Sequence, residues 1–569
     1  MNMLDTIRAP AAPLAAFLNA LRAERAKLLT RGDPLSICLA FARDEEIVAE
    51  SRARDALALL SNDMRDYAIS SAYALLIGPA RRKSLSAYFT PPSLAAATIE
   101  AVRPFFERPG ATVLDPACGG GSFLVPTARA MTLYAVDSGT KIERACAGVV
   151  KRIKGIEIDG GLASLSATLL GDALKQDFGV AVATDKVVET ANALEANVKG
   201  RFDLIIGNPP YSKVWARGAA AISAIAGKAG LGGHTNLYAL FVLRALGWLK
   251  PGGGLGFVLP TSFIAGPYFK GLREEILARA NVVRIDMHQQ REHLFIDAIQ
   301  DVCLLVLQRH GAGCAPSDRY ELGLIDADGA RTALGTATTP PDGDAWLVPV
   351  ASGPKSEAGH FALTTSKPAD VIASYGYRVR VGKVVPKRER KQLFSEPAPN
   401  RLPVLWASDV RADGVFKFQG GTRTALSSWY LPPSSGSLGY VSRGRSVIVQ
   451  RTANRDQKRR LNASAVSEAF ASAHAEHGYV AENHVIVIEP TIPEPLVSPD
   501  LLAALLNSAI VSERFSAVAG SFSVSAKLLA RLALPPARSL PAIGPAFEED
   551  LVACFDGLDG ILAAPAVLA

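Results

Sequence analysis

Between about residue 86 and residue 310 the chain consists of short apolar runs punctuated by Gly and Pro, with helical patterns between several of them. VLDPACGGGSFL, KGIEIDG, FDLIIGNPPY, GGGLGFVLP, VVRID and VCLLVLQR are six strand candidates. PSLAAATIEAVRPFF and NLYALFVLRALGWL carry helical spacing among them. Strands joined through helices argue for a mostly parallel sheet covered on both faces. Open sheets of this kind hold their ligands at the carboxyl ends of the strands. Residues 1–80 are rich in Ala, Leu and Arg at helical spacing, as in ARDEEIVAESRARDALALLSNDMRDYAISSAYALL, and form an N-terminal helical region. The α/β region then runs over 81–345, of which Gly311 to about Ala345 reads as a polar linker with some strand. Residues 346–569 make a second, α+β module with strand-like SVIVQ and ENHVIVIEP and a helical DLLAALLNSAIVSERFSAVAG.

A length of 569 residues suggests two or three domains, each able to bury a real core. Apolar residues at 49% against 20% charged residues fit an ordered globular chain. The six cysteines, at 38, 118, 146, 303, 314 and 554, form no CxxC pair, which points to free thiols in a reducing compartment and to no zinc site. The N-terminus carries an early Asp5 and no compact apolar region before a cleavage site, and no stretch reaches the roughly 18 apolar residues of a membrane span. A cytoplasmic protein without a membrane partner is expected. The formal charge is +7, and it is unevenly spread. Between Arg378 and Arg460 there are 18 Lys or Arg against 5 Asp or Glu, a local net of +13. A basic face beside an α/β domain is the expected footprint for nucleic acid.

Two stretches carry the chemistry. ATVLDPACGGGSFLVPTARAM is a strand ending near Asp115, a glycine loop, and a helix start. Glycines there let backbone approach a ligand, and free amides at the helix start offer donors. The loop is neither GxGxxG nor a GK[ST] phosphate loop, which argues against dinucleotide binding and a nucleotide triphosphatase. In KGIEIDG, Glu157 lies 36 residues after Gly121 and ends a strand in acid. Glu157 is suited to accept the two hydroxyls of a ribose, with Asp159 an alternative that could serve the following turn. In LLGDAL, Asp172 stands third in the series, placed for an adenine amino group, although each acid alone could cap a helix. The second stretch is DLIIGNPPYSK. Leu204 to Ile206 look like a buried strand, Gly207 permits an exit, and Pro209 and Pro210 stiffen the chain beyond it.

The series SAYFTPP, LDPACGGGSFL, GIEID, GDAL and GNPPY resembles the S-adenosylmethionine-dependent DNA adenine-N6 methyltransferases of the TaqI and Eco57I restriction–modification type. The likeness covers about 86–310 closely and 370–540 loosely. It implies a Rossmann-like methyltransferase domain followed by a target-recognition domain. By the resemblance, Thr90, Asp115, Ala117 and Gly119 hold the methionine end of the cofactor, Glu157 the ribose and Asp172 the adenine. Asn208 and the Pro209 carbonyl would accept the hydrogens of the target amine, Tyr211 would stack on the flipped base, and Phe295 would close the pocket from its far side. The methyl donor is already activated, so no metal is expected.

The second module resembles the target-recognition regions of the same enzymes. Lys387, Arg388 and Arg390 form one basic cluster, and Arg451, Arg455, Lys458, Arg459 and Arg460 another, both expected to meet double-stranded DNA. No nuclease pattern is present, so a restriction endonuclease, where the system has one, is expected on a separate chain. The alternatives are an NPPY enzyme acting on RNA, protein glutamine or cytosine-N4, or a binding module with a decayed site. Cytosine-C5 chemistry fits poorly, because Cys118 follows Ala117 inside the glycine loop rather than a proline.

Overall fold

The computed structural model describes residues 12–198, 201–215, 220–231, 234–289, 300–311, 314–340, 342–347, 360–364, 369–411, 413–419, 427–433, 439–452, 459–518, 524–556, 558 and 560–562. The chain divides into two compact units, one of residues 1–263 and 268–344, the other of 264–267 and 345–569. Among the described residues no helix is long and apolar enough to cross a membrane.

The sheet of the first unit contains β1 (Val113–Asp115), β2 (Ile153–Glu157), β3 (Val188–Thr190), β4 (Phe202–Gly207), β5 (Leu249–Pro260), β6 (Ala280–His288), β7 (Val302–Arg309), β8 (Arg319–Ile325) and β9 (Arg331–Thr338). Their order across the sheet is β3-β2-β1-β4-β5-β7-β6-β8-β9. From β3 to β5 every pairing is parallel. β7 inserts antiparallel between β5 and β6. The six strand candidates all form, and the sheet is the mixed, mostly parallel one expected of a Rossmann-like methyltransferase fold. β4 is buried at every residue, which explains its unbroken FDLIIG run in the middle of the sheet.

Glycines let helix Pro92–Phe106 lie close on β5. A Cβ at Gly254 would sit 2.3 Å from the Phe105 ring, and one at Gly256 2.6 Å from Val102. The strand expected within the linker after Gly311 forms, and more fully than expected, as the β8–β9 hairpin, with β8 pairing parallel to β6. Tyr320, Leu322 and Leu324 bury one face of β8, which is the alternation of a strand rather than of a linker.

Helices Ala12–Leu29, Pro34–Arg43, Arg52–Leu57, Asn62–Leu76 and Pro79–Leu85 precede the sheet. Phe17, Leu21, Phe41 and Ile69 belong to the same hydrophobic cluster as Leu165, Leu169 and Leu204, so these helices and the sheet share one core.

The second unit holds two four-stranded sheets. In one, Tyr377–Val381, Val485–Pro490, Val447–Gln450 and Ala463–Ala465 pair antiparallel in that order. The other joins Leu393–Phe394, Trp429–Tyr430, Leu402–Leu405 and Val480–Ala481. Helices Pro499–Asn507 and Ala509–Ser516 follow, separated at Ser508, whose hydroxyl accepts from the Val511 N–H. The architecture is thus a helical region, a Rossmann-like sheet and further α+β elements.

Candidate active site

The strand order reverses between β1 and β4, so their connections leave on opposite faces and open a crevice at their carboxyl ends. A cavity of about 280 Å³ occupies this crevice. It is lined by Phe89 and Thr90, by Ala117 to Gly119 after β1, by Glu157 and Ile158 at the end of β2, by Asn192 to Leu194 after β3, and by Asn208 and Pro210 after β4. Leu237 and Phe241 complete an apolar wall.

Thr90 is 2% exposed, and its Oγ1 accepts a hydrogen bond from Asn208 Nδ2 at 3.0 Å. Asn208 Oδ1 is buried with no hydrogen-bond partner among the described residues. A buried amide oxygen without a donor is costly, and in a residue that lines the cavity it is suited to take hydrogens from a ligand. Glu157 Oε2 accepts the Gly119 N–H at 2.9 Å, and Oε1 the Asp159 N–H at 3.0 Å. Each oxygen keeps acceptor capacity for a further donor. Burial raises the Glu157 carboxyl above its ordinary range. Gly119 adopts a φ of 52°, and a Cβ there would lie 3.0 Å from the Phe89 ring, so a side chain would close the loop onto the cavity wall.

The N-terminal helices clamp these loops, which sequence reasoning did not anticipate. Ser70 Oγ donates to the Gly120 carbonyl at 3.0 Å, and a Cβ on Gly120 would meet that oxygen at 2.2 Å. Tyr73 Oη donates to Asp159 Oδ1 at 2.6 Å, and Arg81 donates to Oδ2 at 2.8 Å. The same carboxylate caps helix Gly160–Phe178 by accepting from the Gly161 and Leu162 N–H groups. Burial alone would raise Asp159, yet Tyr73, Arg81 and the cap hold it below the ordinary range. Of the two readings open for the second acid, the turn and helix cap belongs to Asp159.

Several expected residues lie elsewhere. Asp172 faces away from the cavity. It sits inside helix Gly160–Phe178 in a separate groove, 3.9 Å from Arg43. The segment after β3 stands at the cavity instead, where Asn192 Oδ1 accepts the Leu194 N–H at 3.1 Å. Tyr211 does not line the cavity; its hydroxyl donates to the Val258 carbonyl of β5 at 3.2 Å, and its ring meets Tyr238 edge-on. Phe295 lies outside the described residues. Pro209 is buried beside Asn208. Cys118 is a buried thiol pushed well above its ordinary value by burial, in line with a packing role.

Asp115 stands behind the loop, 1% exposed, with Oδ1 accepting the Ala117 N–H at 3.1 Å. Burial pushes its carboxyl up to about 8. A folded-state value above the unfolded one makes this group most favourable to folding below about pH 4, and its support is lost as pH rises through about 8. Thermal unfolding without ligands should therefore show stability declining over roughly pH 5 to 8. Asp115→Asn, which keeps an oxygen for Ala117, should flatten part of that decline. An unchanged slope would mean that the carboxyl is not held neutral.

In the second unit the two basic clusters differ. Lys387, Arg388 and Arg390 are exposed and make no ion pair among the described residues. Arg451 is half-buried and donates to the Asn483 carbonyl at 2.9 Å, and Arg459 donates to the Asn507 carbonyl at 2.8 Å. Arg460 is half-buried too, its backbone N–H bonded to Ser512 Oγ at 2.6 Å. Arg455 and Lys458 fall outside the described residues.

The model of the Eco57I restriction-modification methylase family matches residues 164–295. The chain is 24% identical to the Type II methyltransferase M.PstI of Providencia stuartii over 363 residues, 61% of this chain and 68% of that one. It is 32% identical to M.BsuBI of Bacillus subtilis over 105 residues, 18% of this chain and 20% of that one. To M.PaeR7I of Pseudomonas aeruginosa it is 26% identical over 211 residues, 35% and 36% of the two chains. The last two matches span well under half of those relatives. The chain is thus similar in sequence to Type II methyltransferases and, over residues 164–295, to the Eco57I restriction-modification methylase family.

Proposed function

We propose that the chain is an S-adenosylmethionine-dependent DNA methyltransferase that modifies the exocyclic N6 of an adenine flipped out of a duplex, as the modification component of a restriction–modification or related defence system. The observation that carries this reading is the buried, unpartnered amide oxygen of Asn208, a residue that lines the same cavity as Glu157.

The residues present fit the cofactor. Glu157 would accept ribose hydroxyls, the backbone of Ala117 to Gly119 would lie along the amino-acid end, and Ile158, Leu194 and Phe241 would offer apolar surface to the adenine. Bound there, S-adenosylmethionine supplies a methyl group already activated on a sulfonium. The protein's part is to prepare the nucleophile. The lone pair of an adenine N6 is delocalised into the ring. Asn208 Oδ1 and the Pro209 carbonyl accept its two hydrogens and hold that lone pair toward the methyl group. Two prolines in succession keep both acceptors fixed, so little reorganisation is needed at the moment of transfer. Stacking of the base on Tyr211, as the resemblance implies, would require its ring to leave its contact with Tyr238 and turn toward the cavity. The exposed Lys387, Arg388 and Arg390 meet the phosphates.

Transfer of labelled methyl groups to duplex DNA, followed by nucleoside analysis, tests the reading. N6-methyladenine is expected, formed equally well in EDTA. N4-methylcytosine, or label on RNA or protein only, would overturn the target assignment. Calorimetry adds a second check. Glu157→Ala should weaken S-adenosylmethionine binding by about tenfold or more, since hydrogen bonds to a charged acceptor are at stake. Unchanged affinity would remove Glu157 from the site.

A further inference from the structure

We infer that Thr90 is a positioning residue that ties the direction of the Asn208 amide to occupancy of the cofactor pocket; this rests on the methyltransferase reading above. Methyl transfer needs Asn208 with its oxygen toward the target amine. The reverse orientation would present N–H donors to the amine's own hydrogens. In the structure Nδ2 points at Thr90 Oγ1, 3.0 Å away, and Oδ1 is left without a partner among the described residues. Thr90 therefore stands at the one contact that distinguishes the two ends of the amide.

A threonine hydroxyl alone does not make that choice absolute, because it can accept from Nδ2 or donate to Oδ1. What decides is where its own proton goes. Among the described residues the Thr90 proton has no acceptor, and the side chain is 2% exposed on the wall of the cavity. The acceptor it lacks is one the cofactor can supply, for instance a carboxylate oxygen. Once the proton is donated into the cavity, Oγ1 is an acceptor only, and the amide has a single favourable orientation with Oδ1 toward the base. Empty, the cavity leaves both orientations open. Filled, it selects the productive one. The coupling is reciprocal, so a correctly presented base must also favour the filled cavity.

The test compares wild type, Thr90→Val, Thr90→Ser, Asn208→Ala and the Thr90→Val/Asn208→Ala double variant, each checked for folding by thermal unfolding. At saturating cofactor, T90V should lower kcat by about tenfold or more, and KM for DNA should rise by no more than the factor of the lost coupling. T90S should restore most of the loss. In the N208A background T90V should cost nothing further, since a residue acting through Asn208 has nothing left to orient. A binding readout independent of turnover uses S-adenosylhomocysteine as the probe. It should raise wild-type affinity for cognate duplex, and the gain should vanish in T90V. Three results would overturn the inference: T90V with full kcat and only a raised KM for the cofactor, losses that multiply in the double variant, or a gain in DNA affinity that survives in T90V. Wild-type protein that transfers no methyl group to any DNA would instead overturn the functional reading on which the inference rests.

Discussion

Asn208→Ala is expected to slow methyl transfer by about two to three orders of magnitude, the usual scale for losing one preorganised polar contact to a reacting centre. Affinity for S-adenosylmethionine and for duplex DNA should change little. The reason lies in what the side chain touches. Its Nδ2 is spent on Thr90, and its Oδ1 is unpartnered, so the free protein does not depend on that oxygen for stability. Alanine removes an acceptor that matters only when an amine must be aligned, and such interactions appear in kcat rather than in ground-state binding. Single-turnover measurements with both ligands saturating separate the two. Asn208→Asp makes a useful companion. It keeps an acceptor toward the amine but loses the N–H that Thr90 accepts, so its rate should fall between wild type and alanine. Folded N208A that binds both ligands and methylates DNA at a near wild-type rate would remove the amide from the mechanism.

The parts of this site legible in the sequence are those set by local chain geometry. FDLIIG followed by NPPY announces a buried strand with a stiff exit, and the structure delivers β4 and places Asn208 at its carboxyl end. KGIEIDG likewise places Glu157 at the end of β2. GDAL misleads because Asp172 is assigned there by its order in the motif series and not by the chain around it. The stronger signal was the period around it. Leu162, Leu165, Leu169, Leu170, Ala173 and Leu174 are buried at helical spacing, running unbroken from the Asp159 cap to Gly179. That helix absorbs Asp172. The strand that does end at the cavity, β3, is three residues long with two of them exposed, and it has no apolar run to betray it. The clamp formed by Ser70, Tyr73 and Arg81 was invisible for a different reason. Periodicity shows that a segment is helical, but not which distant loop its polar face will meet. Gly120 and Gly161 carried the only hint, since each is a glycine where the clamp leaves no room for a Cβ.

Replacing Lys387, Arg388 and Arg390 together by alanine should weaken binding to every duplex and reduce the logarithmic salt slope. Each phosphate contact contributes about 0.9 to that slope, so the three together can remove up to about 2.7. All three are exposed cations without an ion pair among the described residues, so they can release counterions to a phosphate backbone with little internal cost. Cofactor affinity should be untouched. Arg451 and Arg459 should behave in the opposite way, although they lie in the same +13 stretch. Each already donates to a backbone carbonyl, of Asn483 and Asn507, and each is half-buried. Removing either guanidinium leaves a carbonyl without its donor, a loss on the order of 1–3 kcal/mol where the carbonyl is buried. R451A and R459A should therefore lower the midpoint of thermal unfolding and leave the salt slope near wild type. Salt titrations on cognate and scrambled duplexes, run beside thermal unfolding, read both effects. If R451A flattened the slope at full stability while the triple replacement left it intact, the roles of the two clusters would be exchanged.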